Sequence, residues 1–210
     1  MVILTGAGRA FCAGQDLRER QAADAPPLEV ELRERYNPII RAMVALPAPI
    51  IAAVNGVAAG AGMSLALAAD LRIAAEGASF VLAFGRIGLV PDSGATWFLP
   101  RLVGPARAAE LALLSEPLSA EEALRLGLVS RVVAAERLLD EARAMAAQVA
   151  AGAPIANALT KRALRRALES DLDGALDHEA TLQGIAGHSA DHAEGLAAFI
   201  EKRPLRFRGE

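Results

Sequence analysis

The stretch that most constrains this chain is an apolar run followed at once by glycines. Residues 49–54 (Pro-Ile-Ile-Ala-Ala-Val) predict a buried strand that ends at the turn-forming Asn-Gly pair at 55–56. Gly60 and Gly62 follow with one alanine between them, so other backbone can approach closely here. From Ala61 onward the residues are good helix formers. The sequence therefore predicts a strand, a glycine-rich turn and a helix whose unpaired first N–H groups suit a buried anion or a developing oxyanion.

The same region raises the question of a membrane span. Residues 42–69 carry no charge, which is long enough to cross a bilayer. Pro47, Pro49 and the glycines interrupt any single helix there, and irregular backbone is costly in lipid. A buried strand followed by a buried helix is the better interpretation, and we expect no membrane partner.

Composition narrows the classes of partner and compartment. The net charge of −3 argues against nucleic acid or an anionic membrane surface as a partner. The single Cys12 excludes an internal disulfide and fits a reducing, cytoplasmic compartment. Three scattered histidines with one cysteine argue against a zinc site. The first residues show no signal peptide, because glycines and an arginine follow Leu4 directly.

The pattern of strands and helices predicts an α/β fold. Short apolar strands at residues 2–5, 49–54 and 70–75 are separated by helical or loop segments, which implies parallel crossovers. From residue 136 onward every segment has the character of a helix. We expect an α/β core over residues 1–135 and an all-helical region over residues 136–210.

Two loops are candidates for an oxyanion hole. The loop at residues 11–17 and the turn at residues 60–62 each follow a strand, so both are expected at one edge of the sheet. One N–H from each would hold a carbonyl oxygen, and each donor contributes about 3 kcal/mol when charge develops on that oxygen. The alternative is two tight turns without a ligand, and spacing alone leaves it open.

Asp92 is the candidate acid/base. It lies between Val90-Pro91 and Ser93-Gly94, in apolar surroundings that would raise the pKa of its carboxyl group. The competing interpretation is that Asp92 caps the helix beginning near Gly94, because Asp is a favoured N-cap residue. The basic residues of 161–166 are similarly ambiguous between a solvated helix face and a phosphate site.

Three motifs together resemble the crotonase (enoyl-CoA hydratase/isomerase) superfamily. They are Phe-Cys-Ala-Gly-Gln-Asp-Leu at 11–17, the stretch 49–62, and Gly-Leu-Val-Pro-Asp-Ser-Gly at 88–94, and the resemblance extends over the whole chain. It implies a crotonase-like ββα spiral core, a C-terminal helical trimerisation region, and an acyl-CoA thioester as substrate with no permanently bound cofactor and no metal. The N-terminal strands that usually precede the one at residues 2–5 are missing from this sequence.

The resemblance also implies roles for particular residues. The oxyanion hole would use the N–H groups of Gln15 and Ala61. Contacts to the coenzyme A moiety would come from the following residues: Ala13, Gln15, Asp16, Leu17, Ala61, Phe199 and Lys202. The helical region would assemble a homotrimer or a hexamer and cover the site.

Departures from the family pattern indicate the reaction. Hydratases of the family hold a water between two glutamates, and this sequence has Ser64 and Phe84 at those positions. Asp92 stands where hydratases usually have glycine and where isomerases carry a carboxylate. With Leu89 and Val90, Ser64 and Phe84 would form the acyl pocket. The segment 88–94, which contains Asp92, is most similar to that of isomerases acting on 1,2-epoxyphenylacetyl-CoA. A hydratase, a Δ3,Δ2-enoyl-CoA isomerase, an aryl-CoA dehalogenase and a non-catalytic acyl-CoA-binding subunit remain alternatives.

Overall fold

The structure, a computed structural model, describes residues 1–22 and 24–210. The chain divides into two compact units. The larger unit contains Ile3–Leu46 and Ile50–Arg143, and the smaller contains Met1–Val2, Pro47–Pro49 and Ala144–Glu210.

The strands form two four-stranded sheets. Their bounds are β1 (Val2–Thr5), β2 (Ala10–Cys12), β3 (Ile50–Val54), β4 (Val57–Ala59), β5 (Leu71–Ala75), β6 (Ser79–Val81), β7 (Leu118–Ser119) and β8 (Arg131–Val133). The first sheet has the order β1-β3-β5-β8 and the second the order β2-β4-β6-β7. β3 and β8 both pair in parallel with β5, and β2 and β6 both pair in parallel with β4, whereas β7 is antiparallel to β6. The parallel pairing confirms the predicted α/β class.

Helices connect the strands and make up most of the C-terminal region. Their bounds are α1 (Leu28–Glu31), α2 (Asn37–Ala45), α3 (Ala61–Ala68), α4 (Ala95–Val103), α5 (Pro105–Leu114), α6 (Ala120–Arg125), α7 (Leu138–Ala150), α8 (Pro154–Ala167), α9 (Leu172–Gly187) and α10 (Ala190–Glu201). A π-helical segment, Leu32–Tyr36, joins α1 to α2, and short 3₁₀ turns lie at Glu19–Gln21, Ala83–Ile87 and Ala135–Arg137. None of the helices in the described part of the chain is long and apolar enough to cross a membrane.

The uncharged stretch contains a buried strand and a buried helix, as predicted. All five residues of β3 are buried, and α3 is buried on nearly every side, which explains why it has no polar face. Asn55, at the end of β3, accepts a hydrogen bond from the Gly6 N–H at 3.0 Å and donates to the Gly8 carbonyl at 3.0 Å. This side chain fixes the loop after β1 against the end of the neighbouring strand.

The second sheet differs from the sequence-based expectation. The glycines of residues 6–17 predict one long loop, and the Asn-Gly pair at 55–56 predicts a turn leading to Gly60. These segments instead contain the paired strands β2 and β4. Each strand has three residues, which is too short to show an alternating pattern. Gly62 explains how α3 fits beside β2, because a Cβ at residue 62 would lie 2.1 Å from the Cys12 carbonyl oxygen.

A second difference concerns residues 28–46, where apolar residues at helical spacing predict a helix and Asn37-Pro38 predicts a kink. The helix is present, but the irregularity is the π-helical segment Leu32–Tyr36, just before Pro38. Pro38 has no N–H, so the Glu34 carbonyl lacks its usual helical donor and the turn before it widens. The apolar run at residues 80–84 predicts a strand or sheet edge, but β6 ends at Val81, and a 3₁₀ turn follows.

The smaller unit is helical, and its C-terminal residues pack back on α10. Arg203 donates to both carboxylate oxygens of Glu194, at 2.6 and 2.8 Å, and buried Asp191 accepts the N–H groups of Arg208 and Gly209. Within the predicted basic face of α8, Lys161 is buried and its ammonium lies 3.5 Å from the Ala48 carbonyl oxygen. Lys161 is therefore a packed residue rather than part of a solvated face.

Candidate active site

The larger unit contains a cavity of about 240 Å³ beside the glycine-rich turn. Four segments of the chain line it: residues 13–17, 28–36, 59–61 and 83–92. The lining residues are Ala13, Gly14, Gln15, Leu17, Leu28, Glu31, Leu32, Tyr36, Ala59, Gly60, Ala61, Ala83, Phe84, Arg86, Ile87, Leu89 and Asp92. Most of these side chains are apolar, as is usual for a small-molecule site.

The two loops predicted to form an oxyanion hole lie against each other. Gly14 has a left-handed φ of +92°, and a Cβ there would be 3.0 Å from the Ala59 carbonyl oxygen and 3.6 Å from the Ala61 nitrogen. The N–H groups of Gln15 and Ala61 make no hydrogen bond to another residue in the described part of the chain. Ala61 is the first residue of α3, where the helix dipole favours negative charge. The cavity is thus bordered by two free backbone donors.

Asp92 lines the same cavity and is half-buried. Burial raises the pKa of its carboxyl group, and the Ser93 hydroxyl, which donates to Oδ1 at 2.8 Å, opposes that shift. The N-cap interpretation is wrong, because Gly94 is the N-cap of α4 and no side chain caps that helix. The carboxylate is therefore available to a ligand in the cavity.

Of the four residues predicted to form the acyl pocket, two line the cavity and two do not. Phe84 and Leu89 line the cavity. Ser64 is fully buried on α3, where its Oγ lies 3.0 Å from the Asp92 carbonyl oxygen and 3.3 Å from that of Gly60. It ties the Asp92 segment to α3 rather than facing the cavity. Val90 is 79% exposed and is not among the lining residues.

The residues expected to contact coenzyme A also differ in placement. Ala13, Gln15, Leu17 and Ala61 line the cavity. Asp16 does not; its carboxylate forms an exposed ion pair with Arg18 at 2.7 Å, and hydrogen bonds from Arg18 lower its pKa.

Phe199 and Lys202 belong to the smaller unit. Phe199 lies on α10 and is 83% exposed, and Lys202 is an exposed residue with a left-handed φ of +54° at the end of that helix.

Sequence reasoning missed the helical side of the cavity, where the notable residue is Glu31. Its side chain is buried and accepts hydrogen bonds from Gln15 Nε2 at 2.8 Å, from Arg20 at 3.2 Å and from Arg35 at 3.4 Å. Glu31 thereby joins the Gln15 loop to the helix. A usable signal was present, since this acidic residue lies one turn from apolar Leu28 and from Arg35 on one helix face.

The titratable groups of the described residues include no cluster of three or more His, Cys, Asp or Glu side chains placed to hold a metal ion. The chemistry that this arrangement offers is built from two backbone N–H donors, one available carboxylate and an apolar cavity.

The chain is similar to known proteins over nearly its whole length. The profile of the family described as "Enoyl-CoA hydratase/isomerase" matches residues 1–210. A probable enoyl-CoA hydratase of Rhodobacter capsulatus is 51% identical over 208 residues, covering 99% of this chain and 80% of the relative. The 1,2-epoxyphenylacetyl-CoA isomerase of Escherichia coli is 48% identical over 212 residues, covering 100% of this chain and 81% of the relative.

Solved structures agree with these matches. The crystal structure of an enoyl-CoA hydratase from Bacillus anthracis superposes with a TM-score of 0.94 at 42% identity, covering 100% of this chain and 81% of that one. The chain thus spans about four fifths of the length of the relatives it matches.

Proposed function

Because the chain belongs to the enoyl-CoA hydratase/isomerase family, the crotonase superfamily, we propose that it is an acyl-CoA isomerase with Asp92 as its acid/base. The observation that carries the proposal is the convergence on one cavity of two free N–H groups, those of Gln15 and Ala61, and one available carboxylate. Coenzyme A is part of the substrate, and no bound cofactor or metal takes part.

The two backbone donors would act on the thioester carbonyl oxygen. When the bond to an α-proton breaks, negative charge moves onto that oxygen, and each donor stabilises it by about 3 kcal/mol. The enolate therefore forms at an accessible energy. Since the N–H groups are held by loop and helix backbone, they need no reorganisation as the charge develops.

Asp92 would remove a proton at one carbon and return it at another. Its pKa is raised by burial, which brings the carboxyl group closer to the operating pH and makes it a better proton carrier. The acyl double bond or ring is thereby rearranged with no net gain of water.

Isomerisation is favoured over hydration by the number of available carboxylates. Hydration of the family type uses a pair of carboxylates to hold and activate water, and here Ser64 is buried away from the cavity and Phe84 is apolar. Glu31 is a second carboxylate in the cavity, but Gln15, Arg20 and Arg35 already occupy its oxygens. The similarity to a probable enoyl-CoA hydratase keeps hydration as the second candidate.

The proposed substrate is 2-(1,2-epoxy-1,2-dihydrophenyl)acetyl-CoA, as in aromatic (phenylacetate) catabolism. Its support is the 48% identity to the E. coli isomerase and the size of the cavity. A cavity of about 150 Å³ accommodates benzene, so the 240 Å³ here suits a ring with an added substituent. The alternatives are isomerisation of a Δ3-enoyl-CoA to the Δ2-enoyl-CoA, dehalogenation of a halogenated aryl-CoA, and binding of an acyl-CoA without catalysis. Incorporation of heavy isotopes from the solvent distinguishes these alternatives.

We also propose residues 136–210 as the oligomerisation region of a homotrimer or hexamer, beside an α/β core with the acyl-CoA site at residues 1–135. Exposed apolar side chains in the helical region support this: Leu164, Leu168, Leu172, Leu176, Ile185, Leu196, Phe199 and Ile200. Phe199 and Lys202 are proposed coenzyme A contacts on the resemblance alone, and the cytoplasm is the proposed compartment.

The test is mass spectrometry of phenylacetyl-CoA and 3-hexenoyl-CoA incubated in heavy water with the wild-type protein and with Asp92→Asn. We expect deuterium uptake by the wild type and a loss of about 10²-fold or more in the variant, the usual contribution of a positioned acid/base. Uptake that is equal in both proteins removes Asp92 from the mechanism. In parallel incubations in H₂¹⁸O, incorporation of ¹⁸O into a 2-enoyl-CoA identifies a hydratase, and replacement of the halogen of a halogenated aryl-CoA by ¹⁸O identifies a dehalogenase.

A further inference from the structure

The cavity contains few polar side chains, and most of them already have partners. Gln15 donates to Glu31, whose oxygens are also occupied by arginines. Arg86 donates to the Ser115 carbonyl at 2.5 Å, and Asp92 accepts from Ser93. Tyr36 is the exception, since its hydroxyl makes no hydrogen bond to any residue that the structure describes.

The Tyr36 hydroxyl is a donor at any ordinary pH. Burial raises the pKa of this phenol, and the negative charges of Glu31 and Asp92 raise it further. Tyr36 lies on the helical side of the cavity, whose lining also includes Glu31 and Asp92. A protonated phenol in the cavity lining can donate one hydrogen bond to a ligand in the cavity.

Apolar side chains share the cavity with Tyr36, so the bound ligand determines whether its hydroxyl has a hydrogen-bond acceptor. Leu28, Leu32, Phe84 and Leu89 line the same cavity, so a bound acyl group displaces water with mostly apolar contact. A pure hydrocarbon would leave the Tyr36 hydroxyl without an acceptor, which disfavours that ligand by about 10- to 100-fold relative to one that supplies an oxygen.

We propose that Tyr36 is a specificity-determining residue whose hydroxyl donates a hydrogen bond to an oxygen carried by the acyl group, distinct from the thioester carbonyl. The site then selects oxygen-bearing acyl thioesters over hydrocarbon ones of the same shape. The proposal rests on the proposed function for the location of the acyl group, and it adds a chemical class of substrate.

The test compares binding of two coenzyme A thioesters, phenylacetyl-CoA and 2-hydroxyphenylacetyl-CoA, to the wild type and to Tyr36→Phe by titration calorimetry. The wild type should bind the oxygenated thioester more tightly by about 10-fold or more. The variant should lose that preference, because without the hydroxyl phenylacetyl-CoA no longer leaves a donor unpaired and the oxygenated thioester no longer gains a hydrogen bond. Thermal unfolding of both proteins checks that the variant folds.

Three other outcomes overturn the proposal. They are a wild type without preference, a variant that keeps the preference, and a variant that weakens both ligands equally, which marks Tyr36 as a packing residue. Deuterium exchange on phenylacetyl-CoA is run in parallel. Its absence in the wild type would refute the proposed isomerase chemistry, while the ratio of the two dissociation constants would still decide the role of Tyr36.

Discussion

Two parts of the cavity lining, a backbone wall and a helical wall, are built in opposite ways, and residues 83–92 complete the lining. The backbone wall, residues 13–15 and 59–61, offers N–H groups from a loop and a helix start, and it is made almost entirely of Gly and Ala. The helical wall, residues 28–36, offers side chains, among them buried Glu31 and the hydroxyl of Tyr36. In the proposed function the first wall would stabilise charge on a group that all thioesters share, whereas the second would contact the acyl part in which substrates differ.

This contrast indicates which residues can change without loss of the reaction. A donor that is backbone survives most side-chain substitutions but is sensitive to any change that moves the chain. A donor that is a side chain is lost by a single substitution that leaves the fold intact. We therefore expect disruption of the backbone wall to abolish turnover and substitutions in the helical wall to alter positioning and selectivity.

The largest effect is expected for Gly14→Ala. Gly14 has a left-handed φ, and the new Cβ would lie 3.0 Å from the Ala59 carbonyl oxygen, so the two halves of the backbone wall must separate. Loss of one well-placed donor predicts a fall of about 10²-fold in the deuterium exchange rate. Gly77→Ala is the matched control, because no atom lies within 4 Å of its Cβ position and its φ is not left-handed. A folded Gly14→Ala protein with undiminished exchange would contradict the assignment of this wall.

A smaller effect is expected for Glu31→Ala, which breaks the link between the walls. Removing the buried carboxylate takes this acceptor from Gln15 and Arg35 and leaves Arg20 with the Pro26 carbonyl. We therefore expect a loss of about 2 kcal/mol in the free energy of unfolding by denaturant titration. Glu31→Gln should restore part of it, since an amide oxygen can still accept from Gln15. If Glu31 acts through Gln15, the effects of Glu31→Ala and Gln15→Ala on the free energy of unfolding will be non-additive by about 1 kcal/mol. Additive effects would show that the two residues act independently.

The next effect concerns stability and pH. Burial raises the pKa of Asp92 in the folded protein, so ionising it is easier in the unfolded chain. Its contribution to stability is therefore fully present below the ordinary Asp pKa and is lost as pH rises through the raised value. At neutral pH Asp92→Asn should be more stable than the wild type by about 1 kcal/mol or less, because partial exposure screens the effect, and the gap should close in acid. If thermal unfolding shows the wild type and Asp92→Asn to be equally stable at every pH, burial does not disfavour the ionised form of Asp92.

The smallest effect is expected for Val90→Ala. The sequence predicts that Val90 shapes the pocket, but its exposure places it outside both walls. Exposed substitutions of this kind change stability by about 0.5 kcal/mol or less, and exchange rates should stay within about 2-fold. A strong loss of exchange would mean that Val90 contacts substrate in the bound state.

The two walls also differ in how far they could be predicted from the sequence. The backbone wall was predictable because glycines at 14, 60 and 62 follow strands, where a residue without a Cβ permits close approach of backbone. The helical wall was missed because Tyr36 and Leu32 fit an ordinary apolar helix face. The pairing of Glu31 with Gln15 joins residues 16 positions apart through a bend that no periodicity encodes. The short strands β2 and β4 were not predicted for a related reason, because their pairing is set by the neighbouring strands of the sheet rather than by their own residues.

The vibrational frequency of the bound thioester carbonyl gives the sharpest test of the oxyanion hole. Phenylacetyl-CoA labelled with ¹³C at that carbon would be bound to Asp92→Asn, which should hold the ligand without exchanging it, and followed by infrared difference spectroscopy. We expect a shift to lower frequency relative to the free thioester, retained when Tyr36→Phe is added and lost when Gly14→Ala is added. A bound carbonyl with the frequency of the free ligand in water would contradict the claim that the Gln15 and Ala61 N–H groups form an oxyanion hole.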